Sequence, residues 1–410
     1  MKLHPFSNPD LFINSWIAIR EILLYISFEV KYMVTRIIKE RILNEIKFGK
    51  KAVILYGARQ VGKTTLLNTI INEKNVLWLN GDTTNARLLL TPQSVEQLKI
   101  TIGKNNILVI DEAQRIPDIG IVIKIIIDNI PDVKVVVTGS SSLDLANKTS
   151  EPLTGRKRQF TLFPLSFTEM AKHHGLYAEK NMLEQRLIFG YYPDIVTSMG
   201  QERQLLQELT DSYLYKDILA LERIKKSEQL TRLIRGLAFQ IGSQVSYSEL
   251  GQLCGLDSKT VEKYIGILEQ TFVIFRLGSY SRNLRNELKA SRKIYFTDNG
   301  IRNALIADFR PIELRDDIGK LWENFLVSER FKKNAYKENY ANPWFWRTQA
   351  QQEIDYLEEK DGFLSTFEFK WNPLSRTKQP KSFKEAYPNS SFMLIHRNNF
   401  EEFLLDNQKW

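Results

Sequence analysis

The chain has 410 residues, 43% of them apolar, 26% charged and 11% aromatic, with 20 Gly and 13 Pro. That length exceeds one ordinary core of roughly 100 to 200 residues, so two or three domains are expected, and the composition excludes a disordered, collagenous or fibrous chain. Fifty-seven Lys+Arg against 48 Asp+Glu leave a net charge of +9, which favours polyanionic partners.

The single cysteine, Cys254, has no partner for an internal disulfide and reads as a small buried hydrophobe in a reducing, cytoplasmic setting. The apolar stretch 11–30 is broken by Arg20, Glu21 and Glu29, so neither a membrane span nor an export signal is expected. Residues 1–33 read as an aromatic-rich helical extension, either a docking helix or a stretch ahead of an alternative start at Met33. A helix is expected over 35–46.

From residue 34 to 165, β-branched runs at 52–56, 76–80, 107–110, 133–137 and 160–162 alternate with helical stretches, the signature of an α/β fold with a parallel sheet covered on both faces. Gly57, Ala58, Arg59, Gln60, Val61, Gly62, Lys63, Thr64 satisfy G-x-x-x-x-G-K-[ST] between an apolar strand and a helix that begins at Thr65. Glycines let backbone amides at a helix N-terminus wrap phosphate, and Lys63 neutralises the β and γ oxygens. Thr64 is the expected Mg²⁺ ligand.

The run 106–110 ends in Asp111 and Glu112 at the same sheet edge. Asp111 is expected to support Mg²⁺, and Glu112 to orient and deprotonate the attacking water. Thr138 and Ser140, after the 133–137 strand, stand where a γ-phosphate and water are sensed, or else cap a helix. Arg156, in the run LTGRKR, is either an arginine finger acting in trans or a surface arginine paired with a carboxylate.

The motifs GARQVGKTT, IDEAQ, TGSSS, LTGR and PLSF resemble prokaryotic AAA-type P-loop ATPases, and the resemblance covers residues 34 to 400. It implies ATP and Mg²⁺ as ligands and a strand order 5-1-4-3-2. It also implies a helical lid and winged helix, then a C-terminal mixed α/β restriction-endonuclease-like domain.

Residues 166–240 show helical periodicity, for example at Leu205, Leu206, Leu209, Tyr213 and Leu214, and read as the lid or connector. Residues 241–298 read as the winged-helix-like unit. Ser246 and Glu249 have capping-box spacing, and a second helix over 259–270 leaves Lys259, Thr260 and Lys263 to solvent or a DNA groove. The stretch 276–293 holds six cations, Arg276, Arg282, Arg285, Lys289, Arg292 and Lys293, against the single acid Glu287. This unit either grips duplex DNA through phosphates or docks against protein.

Residues 299–410 read as the last domain. A strand over 366–371 places Glu368 and Lys370 on one surface, opposite Phe367, Phe369 and Trp371. With Asp355 on a strand over 353–357 and Glu323 on a helix over 321–331, they are similar to an endonuclease pattern of helix acid, Asp and E-x-K, or else form a solvated face. His173 and His174 face different directions, and four histidines in all leave neither a zinc site nor a His-based triad expected. Tyr191 and Tyr192 read as core.

The expected protein is therefore an ATP-hydrolysing AAA-type ATPase coupling nucleotide state to a C-terminal DNA-binding or nuclease-like module. The competing class is a nucleotide-controlled switch that recruits a protein partner, with an inactive C-terminal domain. Partners are expected to include further copies of the chain and no membrane.

Overall fold

The computed structural model describes residues 33–72, 74–91, 94–140, 153–211, 227–281 and 292–406. The chain divides into a short unit ending at Thr35 and a large unit from Arg36 to Trp410, which holds all the elements below. The extension at 1–32, Tyr213, Leu214, and the basic residues Arg282, Arg285 and Lys289 lie outside the described residues.

The five apolar runs are strands β1 (Ala52–Tyr56), β2 (Val76–Asn80), β3 (Ile107–Asp111), β4 (Lys134–Gly139) and β5 (Lys157–Thr161). They form one parallel sheet in the order β2-β3-β4-β1-β5, which is the expected 5-1-4-3-2 read from the other edge. Strands β1 and β3 are buried along their whole length, and their alternating side chains feed two separate cores. Val53, Leu55 and Val109 face α1 (Lys39–Phe48) and α2 (Lys63–Ile70). Ile54, Leu108 and Ile110 face α3 (Thr84–Leu89), α4 (Val95–Ile102) and α5 (Ile119–Asn129).

Strand β5 starts earlier than its hydropathy suggests, because Lys157, Arg158 and Gln159 occupy an edge strand of which only Phe160 is buried. Helix α1 starts later than expected, after Arg36 has turned inward to hold the phosphate loop.

The connector is helical as expected, with α6 (Phe167–His174), α7 (Leu176–Asn181), α8 (Leu183–Phe189), α9 (Pro193–Thr197), α10 (Glu202–Leu209) and α11 (Ser227–Phe239). Ser166 and Glu169 close a reciprocal capping box at the start of α6. Next come β6 (Gln244–Val245), α12 (Tyr247–Cys254), α13 (Ser258–Gln270), β7 (Ile274–Ser279) and β8 (Arg292–Phe296). Ser246 caps α12 by accepting from the Glu249 amide, and Cys254 is buried.

The remaining elements are α14 (Asn299–Leu305), the long α15 (Ile318–Lys337), β9 (Asn342–Arg347), β10 (Glu353–Lys360), β11 (Phe363–Phe369), α16 (Lys381–Ala386), β12 (Ser391–Ile395) and α17 (Phe400–Leu404).

Strands β6 to β12 form one sheet in the order β12-β11-β10-β9-β7-β8-β6, with β7 pairing parallel to β9. The sheet therefore runs across residue 298, where the sequence suggests a boundary. One apolar core likewise runs from Val53 and Leu67 through Leu233 and Ile265 to Phe296 and Tyr336.

Helix α15 also fastens to the segment after β5 by polar contacts. The Tyr336 hydroxyl accepts from the Phe163 amide at 3.1 Å, the Lys332 ammonium donates to the Leu165 carbonyl at 3.0 Å, and the Glu329 carboxylate accepts from the Phe167 amide at 2.7 Å. Residues three and four apart on a helix share a face, so one stripe of α15 bonds alternate residues of an extended chain. Among the described residues, no helix is long and apolar enough to cross a membrane.

Candidate nucleotide site and a C-terminal acid cluster

The loop after β1 depends on two glycines. Gly57 has φ 156°, and a side chain there would meet the Leu162 carbonyl oxygen at 2.2 Å. Gly62 has φ 89° and begins α2 in the left-handed region that glycine tolerates. The first amides of α2 have no carbonyl within the helix to bond, so they point at whatever lies before it.

Lys63 is 5% exposed, and its ammonium donates to the carbonyls of Gly57 and Ala58, each at 2.8 Å. Burial pulls its pKa down to about 8, against Glu112 and Asp111, which favour the charged form; Arg59 pulls the same way as burial. Neutral carbonyls thus hold the lysine where phosphate oxygens would be stronger acceptors.

Thr64 donates to Asp111 Oδ2 at 3.0 Å, and Thr138 donates to the other carboxylate oxygen. A hydroxyl and a carboxylate converging across loop and strand are the hard oxygen donors that suit Mg²⁺, so the residues present fit the ion. Glu112 stands at φ 49°, an unusual conformation for a side-chain-bearing residue, and its amide donates to Thr138 Oγ1 at 3.1 Å. Its carboxylate accepts from Gln114 Nε2 at 2.5 Å, and the same nitrogen lies 2.9 Å from Ser140 Oγ. Gln114 therefore joins Ser140 to Glu112.

Beside Gln60 lies a cleft of about 380 Å³ walled by Tyr192, Ile195, Leu205 and Leu209, with Asp194 and Glu208 at its margin.

Arg156 belongs to a different edge of the sheet. It precedes β5 at the end where Lys157 pairs with Ala52, opposite the phosphate loop, and it forms a 2.7 Å ion pair with Asp128. It cannot reach the loop of its own chain.

The residue that the motifs miss is Arg36. Its guanidinium donates to the Val61 carbonyl at 2.7 Å, the Phe163 carbonyl at 2.5 Å, the Glu169 carboxylate at 3.1 Å and the Tyr336 hydroxyl at 3.2 Å. Burial opposes its charge, but Glu169 and Tyr336 more than offset this and raise its pKa. One buried arginine thus ties the phosphate loop, the segment after β5 and α15 together.

In the C-terminal sheet the four candidate nuclease residues come together, although not as a set of free metal ligands. Lys370 donates to Glu368 at 2.8 Å, and Asp355 Oδ2 accepts from the Phe369 amide at 2.8 Å. Burial, Glu323 and Glu368 push the Asp355 carboxyl up to about 8, so all three acids lie within electrostatic reach. Glu323 accepts from Tyr295 at 2.6 Å and from Lys293 at 2.8 Å. Among the described residues, no group of three or more His, Cys, Asp or Glu is arranged to hold a metal ion.

The three described cations of the basic stretch each have a carboxylate neighbour. Arg276 pairs with Glu269, Arg292 approaches Glu262 at 3.9 Å, and Lys293 is only 2% exposed. On α13, Lys259 and Lys263 are exposed, while the Thr260 hydroxyl is spent on the Asp257 cap at 2.6 Å. His174 contacts Glu179 at 2.7 Å, and Tyr191 and Tyr192 are buried.

A five-stranded parallel sheet whose first strand leads into this loop defines a P-loop ATPase-like fold. A family model described as an AAA domain matches residues 49–171. Residues 180–312 and 318–408 match two families described as domains of unknown function, DUF8612 and DUF4143.

An uncharacterized protein of Mycobacterium tuberculosis is 26% identical over 325 residues, covering 78% of this chain and 70% of that protein. One of Methanocaldococcus jannaschii is 24% identical over 362 residues, covering 74% and 73% respectively. Among solved structures, a Walker-type ATPase of Pyrococcus abyssi aligns with a TM-score of 0.47 at 15% identity, over 67% of this chain and 96% of its own.

Proposed function

We propose that the chain binds ATP with Mg²⁺ at residues 57–65 and hydrolyses it, and that the nucleotide state reaches the C-terminal region through α15. The observation that carries this reading is the pair of contacts at the loop: Lys63 held by the Gly57 and Ala58 carbonyls, and Thr64 meeting Asp111. Lys63 and the amides of 57–65 bind the phosphates, and the cleft beside Gln60 accepts the base, whose amino group suits Asp194 or Glu208. Bound Mg²⁺ would neutralise phosphate oxygens, with Thr64 and Asp111 as its protein ligands.

Glu112 orients the attacking water and takes its proton. Gln114 fixes that carboxylate and passes the position of Ser140 to it, while Thr138 anchors Asp111 and the Glu112 backbone. Calorimetry with ATP and Mg²⁺ tests this. The parent chain should bind, Lys63→Ala should lose binding, and Glu112→Gln should bind normally yet turn over about 10²–10⁴-fold more slowly. Equal turnover by the parent and Glu112→Gln chains would refute the assignment.

A second reading is a nucleotide-controlled switch that recruits a protein partner rather than gripping DNA. It is favoured by Arg276 and Lys293, whose charges are taken up by Glu269 and by Glu323 rather than offered to a phosphate-binding face. Salt-dependent DNA binding at low ionic strength, weakened by Lys259→Ala and Lys263→Ala, would restore the DNA-handling reading. Arg156 acting in trans requires further copies of the chain, and turnover that rises with protein concentration would support it.

A further inference from the structure

The acid cluster at the α15 end of the C-terminal sheet holds a cation of its own. Lys293, on β8, is almost wholly enclosed, and its ammonium lies 2.8 Å from Glu323 Oε1 and 2.6 Å from Glu353 Oε1, over the face of Phe345 at 5.4 Å. Burial works against a charged lysine. Even so, Glu323, Asp355 and Glu353 together hold its pKa above the usual lysine range.

Two of the neighbouring carboxylates also meet cations. Glu368 pairs with Lys370, and Arg347 reaches Glu353 at 3.4 Å. Three carboxylates, Glu323, Glu353 and Glu368, thus face three cations, Lys293, Lys370 and Arg347. The fourth acid, Asp355, has one oxygen bonded to a backbone amide.

We infer that Lys293 is the resident counter-ion of this cluster, filling by its own ammonium the place that a divalent metal would need, so that the chain carries a lysine-locked acid site closed to metal and to metal-dependent phosphodiester cleavage. A divalent ion requires several carboxylate oxygens free to turn toward it, and here Lys293 takes Glu323 and Glu353 at once. The same contacts pin β8 to α15 and β10. A buried ion pair is costly to break because removing one partner strands the other, so the lock is part of the folded structure. The inference is independent of the nucleotide site.

The test is titration of Mn²⁺ into the nucleotide-free full chain, followed by calorimetry and by electron paramagnetic resonance of the free ion. The parent and Lys293→Arg chains should show no saturable uptake up to about 1 mM, and no Mn²⁺-dependent cutting of plasmid DNA. Lys293→Met should acquire one Mn²⁺ equivalent and a Mn²⁺-dependent rise in Tm, both lost again when Asp355→Asn is added.

Mn²⁺ uptake by the parent that disappears in Glu323→Gln overturns the inference, and so does a folded Lys293→Met chain that takes up no ion. Should Lys293→Met fail to fold, the parent and Glu323→Gln titrations decide: identical traces without uptake support the lock, and uptake only in the parent refutes it.

Discussion

Two enclosed lysines, each surrounded by acids, meet opposite fates in this molecule. Among the described residues, Lys63 bonds the uncharged carbonyls of Gly57 and Ala58, with Asp111 and Glu112 within electrostatic reach, and burial leaves its pKa at about 8. Lys293 touches two carboxylates directly, and its pKa rises. A lysine held by neutral acceptors gains when an anion arrives, whereas one already neutralised by carboxylates gains nothing. The first arrangement suits the proposed receptor for phosphate, the second the inferred closed joint.

The largest effect that would sharpen this contrast concerns Arg36, which connects the two regions. Arg36→Ala strands the buried Glu169 and should cost about 3–5 kcal/mol in denaturant unfolding. A loss below about 1 kcal/mol would mean that the loop and α15 are joined by packing alone.

Next comes Asp355, whose carboxyl is raised to about 8 by burial, Glu323 and Glu368. The native chain keeps a proton that the unfolded chain has released, so stability should fall as pH climbs from near 4 toward 8. Asp355→Asn should flatten that slope, and an unchanged profile would remove Asp355 from the cluster's electrostatics.

Lys63 gives a smaller shift of the same origin, burial, but in the opposite direction. Because its pKa is lowered, the empty site loses the lysine proton above about 8, and ATP affinity should drop up to about tenfold per pH unit there, with proton uptake on binding. Smallest of all, Arg156→Ala removes an exposed pair with Asp128 and should leave Tm unchanged. A large fall in turnover with Tm intact would mark it as a finger serving a neighbouring chain.

Much of the candidate nucleotide site is legible in the sequence because its residues are contiguous. Gly57 to Thr64 is one loop, Asp111 and Glu112 end one strand, and the buried strands β1 and β3 are unbroken apolar runs. Arg36 leaves no such trace, since its partners Glu169 and Tyr336 lie 133 and 300 residues away. The capping box at Ser166 and Glu169 is readable, yet nothing local reveals that the same carboxylate also accepts from Arg36.

Lys293 shows the converse problem. Set among other cations, it reads as part of a basic face, and only the pairing of β8 with β7 and β6, followed by the packing of α15, turns it onto Glu323. Periodicity correctly places Glu368 and Lys370 on one surface, but it cannot show that Glu368 is itself buried.

The stripe of Glu329, Lys332 and Tyr336 on α15 has a practical consequence for anyone dissecting the chain. Those side chains complete the main-chain bonding of Phe163, Leu165 and Phe167 from far along the polypeptide. A fragment ending before Ile318 would expose an apolar seam and leave those peptide groups to water or to one another. Its insolubility would reflect a severed brace rather than a faulty ATPase, so single substitutions in the intact chain are the sounder way to separate its activities.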